Sequence, residues 1–295
     1  QENLSTEKIT SFLEDELNKI RQDHKDTTPT FQALLNDTLE DITNRMQSDG
    51  TTGITSGFAS IDRFTGGWQE TDLIILGGAS SMGKTSFALA LAHNSAKAGV
   101  PTLIFSYEMS GKQLLSRLIS SETDINNKYI QQGALSKENY NQINIAIGKL
   151  EKLPLNIDEC KKTSLTYLIN KIKKYVMTHD VKIVFIDYLQ LISSYSKAGT
   201  REQEVSKVVR SLKNTARQLD ITIDLRESGE IEQAADVVAF VYRAEYYGIT
   251  QDEKGEDTRG TADIIFAKGR NIGIGTVRLR FKSNLTKFTE YEQDF

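Results

Sequence analysis

Residues 78–85 read Gly-Ala-Ser-Ser-Met-Gly-Lys-Thr, which fits the pattern Gly-x-x-x-x-Gly-Lys-Ser/Thr of a phosphate-binding loop. The apolar run 73–76 before it is typical of a short buried strand, and the apolar positions of 87–98 after it recur at helical spacing. Both flanks matter, because the N–H groups of the glycine turn and the amino end of the helix attract a phosphate. The stretch therefore predicts a strand–loop–helix unit that binds a nucleotide.

This loop supplies most of the predicted nucleotide-binding residues. They are Gly78, Ser81, Gly83, Lys84, Thr85 and Ser86. Lys84 is expected to reach the β- and γ-phosphates and to assist catalysis there, while Thr85 is expected to hold Mg²⁺. A glycine turn with an incidental lysine is the structural alternative.

Two carboxylates are candidates for the rest of the chemistry. Asp187 follows the apolar run 183–186 and is expected to bind Mg²⁺ through water. Glu108 follows the predicted strand 102–106, so in a parallel sheet it should lie beside the phosphate loop, where it would orient or deprotonate the attacking water. The alternative for Glu108 is an acid at a helix start near Gly111. No Asn-Lys-x-Asp segment is present to select guanine, so ATP is the default nucleotide.

Length and composition exclude several classes of protein. The chain has 295 residues, of which 38% are hydrophobic, so it can bury one large domain or two small ones. A net charge of −4 excludes a uniformly basic nucleic-acid-binding protein but not a local basic patch. The one cysteine, Cys160, suits a reducing cytosol. With neither a long apolar run nor a secretory signal in the sequence, we expect a cytoplasmic protein, and its start at Gln1 suggests a fragment or a processed product.

The chain changes its periodicity near residue 50. Residues 1–50 are predicted to be a helical linker or docking segment, with a helical bundle as the alternative. Residues 51–295 alternate strands with helices and are predicted to form the second domain. Its fold class is α/β, with a mostly parallel sheet flanked by helices and an antiparallel hairpin near the carboxyl terminus.

A basic glycine-rich turn is the last candidate site. Between residues 268 and 287 there are six basic residues and no acidic ones. Lys268 and Arg270 lie at the turn and are suited to reach the γ-phosphate of a neighbouring subunit. A solvated basic edge is the alternative, and it is the prediction for Arg278, Arg280 and Lys282, which alternate along a strand.

Seven stretches of this sequence occur in an order found in one family. They lie at 57–67, 78–85, 105–110, 186–192, 224–229, 235–243 and 267–271. Together they resemble the carboxyl-terminal motor domain of DnaB-type replicative DNA helicases, bacterial or phage-borne, and the resemblance covers about residues 54–295.

The resemblance implies a RecA-like core that assembles as a hexamer around single-stranded DNA and moves 5′ to 3′, with ATP between subunits. It implies that Glu108 is the catalytic glutamate and that Lys268 and Arg270 act in trans. It also places Arg243 near the nucleotide base. The DNA-contacting loop that it implies contains Arg226, Glu227 and Gly229. Primase and a helicase loader are expected partners, through an amino-terminal region that this chain lacks.

The sequence departs from the family pattern after Ile223. The family has a longer strand end there, followed by a basic loop, whereas here 219–223 runs directly into Asp224. Because 221–223 is too short for a core strand followed by a loop, we hypothesise that a segment is missing between Ile223 and Asp224, with a natural deletion as the alternative.

Two alternative functions for the whole chain stay open. They are a RecA-like recombinase or clock-type ATPase, and a helicase-associated loader.

Overall fold

The computed structural model describes residues 30–47, 51–188, 191–192, 201–226 and 234–291. The chain divides into two compact units, Gln1–Asp49 and Gly50–Phe295. In the first unit the described part is mainly one helix, α1 (Phe31–Gln47). Its large apolar side chains are exposed at helical spacing; they include Phe31, Leu34, Leu35, Leu39 and Ile42.

The second unit alternates helices and strands. Its helices are α2 (Ala59–Thr65), α3 (Lys84–Lys97), α4 (Gly111–Thr123), α5 (Asn127–Gln132), α6 (Lys137–Leu150), α7 (Leu165–His179) and α8 (Arg201–Leu219), with a 3₁₀ turn at Ala244–Tyr247. Its strands are β1 (Leu73–Gly77), β2 (Thr102–Ser106), β3 (Leu155–Glu159), β4 (Ile183–Asp187), β5 (Thr222–Arg226), β6 (Val237–Tyr242), β7 (Thr261–Gly269), β8 (Gly275–Lys282) and β9 (Lys287–Glu290). Among the described residues no helix is both long and apolar enough to cross a membrane.

All these strands belong to one sheet with the order β3-β2-β4-β5-β1-β6-β7-β8-β9. The first six strands in this order are parallel to one another. Strands β7, β8 and β9 each run antiparallel to the strand before them in the order. Strands β1, β2 and β4 are buried along their whole length, as expected when helices cover both faces of a parallel sheet. The predicted fold class is confirmed.

Two apolar clusters hold the helices to the sheet. On one face, α2 and α3 pack against the sheet around Trp68, Phe87 and Phe266. On the other face, α7 and α8 pack around Leu168 and Leu212. This packing fixes the carboxyl edge of the parallel strands, where β1, β2, β4 and β5 all end.

One predicted boundary is wrong. Asp224 was expected to start a loop, but β5 continues to Arg226 and pairs with both β1 and β4. The reason is apolar alternation, because Ile223 and Leu225 are both fully buried on one face of the strand. Asp224 therefore lies within β5 and not in a loop.

Candidate active site

The phosphate loop joins β1 to α3, as the sequence predicts. Gly78, Ser81 and Gly83 all have positive φ angles, of 138°, 65° and 96°. A Cβ atom at Gly78 would lie 2.7 Å from the carbonyl oxygen of Val241 on β6. Because no L-residue side chain fits there, the loop can cross β6 closely only with glycine at this position.

The side chain of Lys84 lies within the curve of the loop. It is 8% exposed, and its Nζ donates hydrogen bonds to the carbonyl oxygens of Gly78 and Ala79, the latter at 2.8 Å. Its ammonium group is therefore next to the backbone that would surround a phosphate. This position is consistent with the predicted role of Lys84, which stays a prediction.

Thr85 and Asp187 meet at one small cavity between α3 and the sheet. Thr85 is in the first turn of α3, and Asp187 is the last residue of β4 and is 4% exposed. A hydroxyl and a carboxylate are the hard oxygen donors that Mg²⁺ prefers, so the residues present fit this ion. The structure thus brings the two predicted metal residues together.

Asp224 lines the same cavity, which the sequence did not predict. It is 1% exposed, and its Oδ2 has no hydrogen-bond partner among the described residues. Burial and the nearby charge of Asp187 raise the pKa of Asp224 well above its usual range. A buried carboxyl oxygen without a hydrogen-bond partner is costly, so β5 carries a local conflict between sequence and environment.

Glu108 follows β2 on the same edge of the sheet as the phosphate loop. It does not lie on a neighbouring strand, because β4 and β5 separate β2 from β1. The loop that carries it lies beside Asp187, since Ser106 pairs with Asp187 and the N–H of Tyr107 donates to the Asp187 carbonyl at 2.8 Å. The approach of Glu108 to a nucleotide on the phosphate loop stays a prediction.

A residue that the sequence analysis missed fixes the Glu108 loop from the other side. Glu159 ends β3, and its Oε1 accepts a hydrogen bond from the N–H of Gly111 at 2.6 Å. Ser110 caps the same helix start through a capping box with Gln113. A carboxylate at the end of this strand gave no signal, because β3 itself was not predicted.

Lys268 and Arg270 lie at the opposite edge of the sheet. Gly269 pairs with Val237 at the amino end of β6, whereas the phosphate loop follows the carboxyl end of β1. The five residues of β1 span about 16 Å. Lys268 belongs to β7 and is half-buried, and Arg270 follows the strand with half of its side chain exposed. These two residues and Lys84 therefore do not form one site within a chain.

Arg243 lies behind the phosphate loop. Its guanidinium group stacks on the Phe281 ring, 4.5 Å from the centroid. The Phe281 and Phe288 rings both come within 3.4 Å of where a Cβ of Gly83 would be. The two aromatic rings thus connect Arg243 to the loop, and its place near the nucleotide base stays a prediction.

Two further predictions concern the DNA-contacting loop and the basic strand β8. Arg226 ends β5 with its side chain outside the described residues, and Glu227 and Gly229 also lie outside them. Arg278 was predicted to be solvated, and that is wrong. Its guanidinium group donates to Asp263 and Asp252 at 2.8 and 2.9 Å, because Asp263 pairs with it on β7 and the loop before β7 brings Asp252 over it.

A family model for the DnaB-like helicase C-terminal domain matches residues 53–223 and 222–290. The chain belongs to this family. A protein of Trieres chinensis named "Probable replicative DNA helicase" is 36% identical over 314 residues, which cover 98% of this chain and 69% of that protein. The family assignment confirms the predicted resemblance and the replicative-helicase class over its recombinase, clock-type and loader alternatives.

Solved structures agree with this assignment. One of them, an ATPase domain, has a TM-score of 0.79 at 28% identity and covers 88% of this chain and 99% of its own. A DnaB-like replicative helicase, described together with its interactions with primase, has a TM-score of 0.77 at 29% identity and covers 94% and 71%. The RecA-like fold is thereby confirmed. The chain spans 61–69% of the length of three curated helicases that it matches.

Proposed function

We propose that this chain is the ATP-driven motor of a replicative DNA helicase that encircles single-stranded DNA as a hexamer and moves 5′ to 3′. The observation that carries the proposal is the separation of Lys84 and Arg270 on opposite edges of one sheet. A hydrolysis site that uses both residues requires two copies of the chain. A closed ring supplies such a site at every interface.

In this proposal one subunit supplies the phosphate loop, and its neighbour supplies the basic turn. Lys84 binds the β- and γ-phosphates of ATP, and Thr85 and Asp187 hold Mg²⁺, which neutralises charge on the phosphate oxygens when bound. Glu108 orients and deprotonates the attacking water. Lys268 and Arg270 of the next subunit stabilise the charge that develops on the γ-phosphate. Arg243 helps to position the nucleotide base.

The remaining parts of the proposal concern partners. Arg226, Glu227 and Gly229 contact the DNA backbone, as the family resemblance implies, and β5 ends at Arg226 on the sheet edge that carries the phosphate loop. Residues 1–50 are a linker and docking segment, and the exposed apolar stripe of α1 supports a role in binding a neighbouring subunit. Primase and a helicase loader are further partners of the assembly, which acts in the cytoplasm.

ATP hydrolysis by the full chain, with and without a single-stranded oligonucleotide and over a range of protein concentrations, tests this function. We expect DNA to stimulate hydrolysis and the rate per chain to rise cooperatively with concentration, because complete sites form only between subunits. A blunt duplex of the same length is the control, since it cannot enter a ring. Hydrolysis that is independent of both DNA and concentration would identify another kind of RecA-like ATPase.

We further infer that the functional protein has additional residues between Ile223 and Asp224. The two segments that match the family model meet at residues 222–223, and the alignment with the Trieres protein is 314 residues long although this chain has 295. The burial of Asp224, whose Oδ2 has no hydrogen-bond partner among the described residues, supports the same inference.

Tryptic digestion of the protein from its natural host tests the inference directly. Cleavage after Arg217 and Arg226 of a continuous chain releases the peptide 218–226, Gln-Leu-Asp-Ile-Thr-Ile-Asp-Leu-Arg. We expect mass spectrometry to find other peptides of this domain but not this one. Its detection at the yield of neighbouring peptides would establish a natural deletion.

A further inference from the structure

The turn that carries Arg270 is anchored within its own subunit by one buried carboxylate, that of Asp236. This residue precedes β6 and is 4% exposed. Its Oδ1 lies 3.3 Å from the guanidinium of Arg270, and its carbonyl oxygen accepts a hydrogen bond from the Arg270 N–H at 3.0 Å. Asp236 therefore holds both the backbone and the side chain of Arg270.

The other carboxylate oxygen of Asp236 is fixed from the sheet and from α8. Oδ2 accepts a hydrogen bond from the N–H of Leu73 at 2.9 Å and lies 2.5 Å from Nζ of Lys213. Lys213 also donates to the carbonyl oxygen of Thr71 at 2.7 Å. The carboxylate thus has little freedom to rotate, and the position of its Oδ1 is set by β1 and α8.

A second carboxyl group, that of Asp72, lies in the same partly buried setting. Burial, together with the charge of Asp236, raises the pKa of Asp72 to about 6. Asp72, Asp236 and Arg270 line one cavity with Asn271 and Ile272 of the turn. In such a partly desolvated setting a charge-assisted contact is stronger and more directional than one in open water.

We propose that Asp236 is a positioning residue for Arg270, which it orders for delivery to the γ-phosphate in the neighbouring subunit. The proposal rests on the proposed function, in which Arg270 acts in trans. An arginine side chain has many rotamers, and half of this one is exposed. Tethering the guanidinium to a fixed carboxylate lowers the ordering cost of forming the site, as preorganisation does in other catalytic sites.

Mixed oligomers separate this role from a merely structural one. The variant Asp236→Asn keeps the size of the side chain but removes the charge that holds Arg270. We expect the variant alone to show about a 10- to 100-fold lower DNA-stimulated kcat with the KM for ATP changed less than about twofold. Its phosphate loop and Glu108 should still work.

Two mixtures then give opposite expected results. With Glu108→Gln chains, which retain Arg270, the Asp236→Asn variant should recover activity, because it supplies the loop side of the site. With Arg270→Ala chains it should not, because neither partner delivers an ordered arginine. Asp257→Asn is the matched control, since it removes an exposed carboxylate paired with Arg259 at 2.7 Å, and it should leave activity unchanged in every mixture.

Each other result has a definite meaning. Recovery with Arg270→Ala chains shows that Asp236→Asn delivers a working arginine, and failure in both mixtures shows a structural role; either overturns the inference. If Arg270→Ala and Glu108→Gln chains fail to complement each other, action in trans is wrong, and the proposed function falls first. Should Asp236→Asn not fold, Lys213→Met/Asp236→Leu removes the buried pair as a whole and enters the same mixtures.

Discussion

Replacing Arg270 with alanine is expected to lower DNA-stimulated ATP hydrolysis by about 10³-fold or more while ATP binding is retained. The phosphate loop and Glu108 belong to the other edge of the sheet and are untouched by the substitution. In the proposed mechanism the variant loses the positive charge that meets the developing charge on the γ-phosphate of the next subunit. A loss of kcat without a loss of affinity is the signature of an interaction made in the transition state.

The measurement pairs steady-state hydrolysis with equilibrium binding of a fluorescent ATP analogue. Arg280→Ala is the matched control, because Arg280 is exposed on the adjacent strand and stacks on Tyr291. In an equimolar random ring of Arg270→Ala and Glu108→Gln chains, about a quarter of the interfaces have both intact halves. Activity near that fraction of the native rate is expected, and a mixture as inactive as its components would show that Arg270 acts in its own chain.

The sequence predicted only in part that the phosphate loop and the basic turn lie at opposite edges of the sheet. The loop at 78–85 and the basic turn at 268–270 were both identified, but their positions on opposite edges depend on β7 running antiparallel to β6. Strand direction is set by long-range pairing, which no local pattern contains. The trans role was predicted from the basic turn together with the family resemblance, and the separation of the two residues in the sheet supports that prediction.

Two strands that the sequence missed share a weak local signal. Strand β3 reads Leu-Asn-Ile-Asp-Glu and β9 reads Lys-Phe-Thr-Glu, so both alternate polar with apolar residues over a short length at or near an end of the sheet. Edge strands need fewer apolar residues than the buried strands β1, β2 and β4, which were predicted well. Because β3 was not predicted, Glu159 at its carboxyl end was not identified either.

Charge patterns were the least reliable guide. Arg278, Arg280 and Lys282 alternate as on an exposed strand, and Arg280 and Lys282 are indeed exposed. Arg278 is not, because the loop before β7 brings Asp252 over it and β7 brings Asp263. A partner distant in sequence decides whether a charged side chain is solvated, so the alternation alone does not predict it.

Replacing Glu108 with glutamine is expected to lower kcat for ATP hydrolysis by about 10²- to 10⁴-fold, because the amide keeps the size of the side chain but cannot accept a proton from water. The loop that carries it should not move. Its backbone is held by the Asp187 carbonyl through Tyr107 and by the Glu159 carboxylate through Gly111. ATP affinity, which depends on Lys84 and its neighbours, should stay within about twofold of the native value.

Single-turnover hydrolysis measured beside ATP binding separates the chemical step from binding and product release. Glu138→Gln, an exposed acid in the first turn of α6, is the control for loss of one carboxylate and should have native rates. Glu159→Ala tests whether Glu159 only positions the loop that carries Glu108. This variant should lower kcat less than Glu108→Gln does. Glu159→Gln should restore the rate, because its amide oxygen still accepts a hydrogen bond from the N–H of Gly111. If Glu108→Gln hydrolyses ATP at the native rate, the group that activates water is another side chain at this edge, and Asp224, which lines the cavity with Thr85 and Asp187, is the next to test.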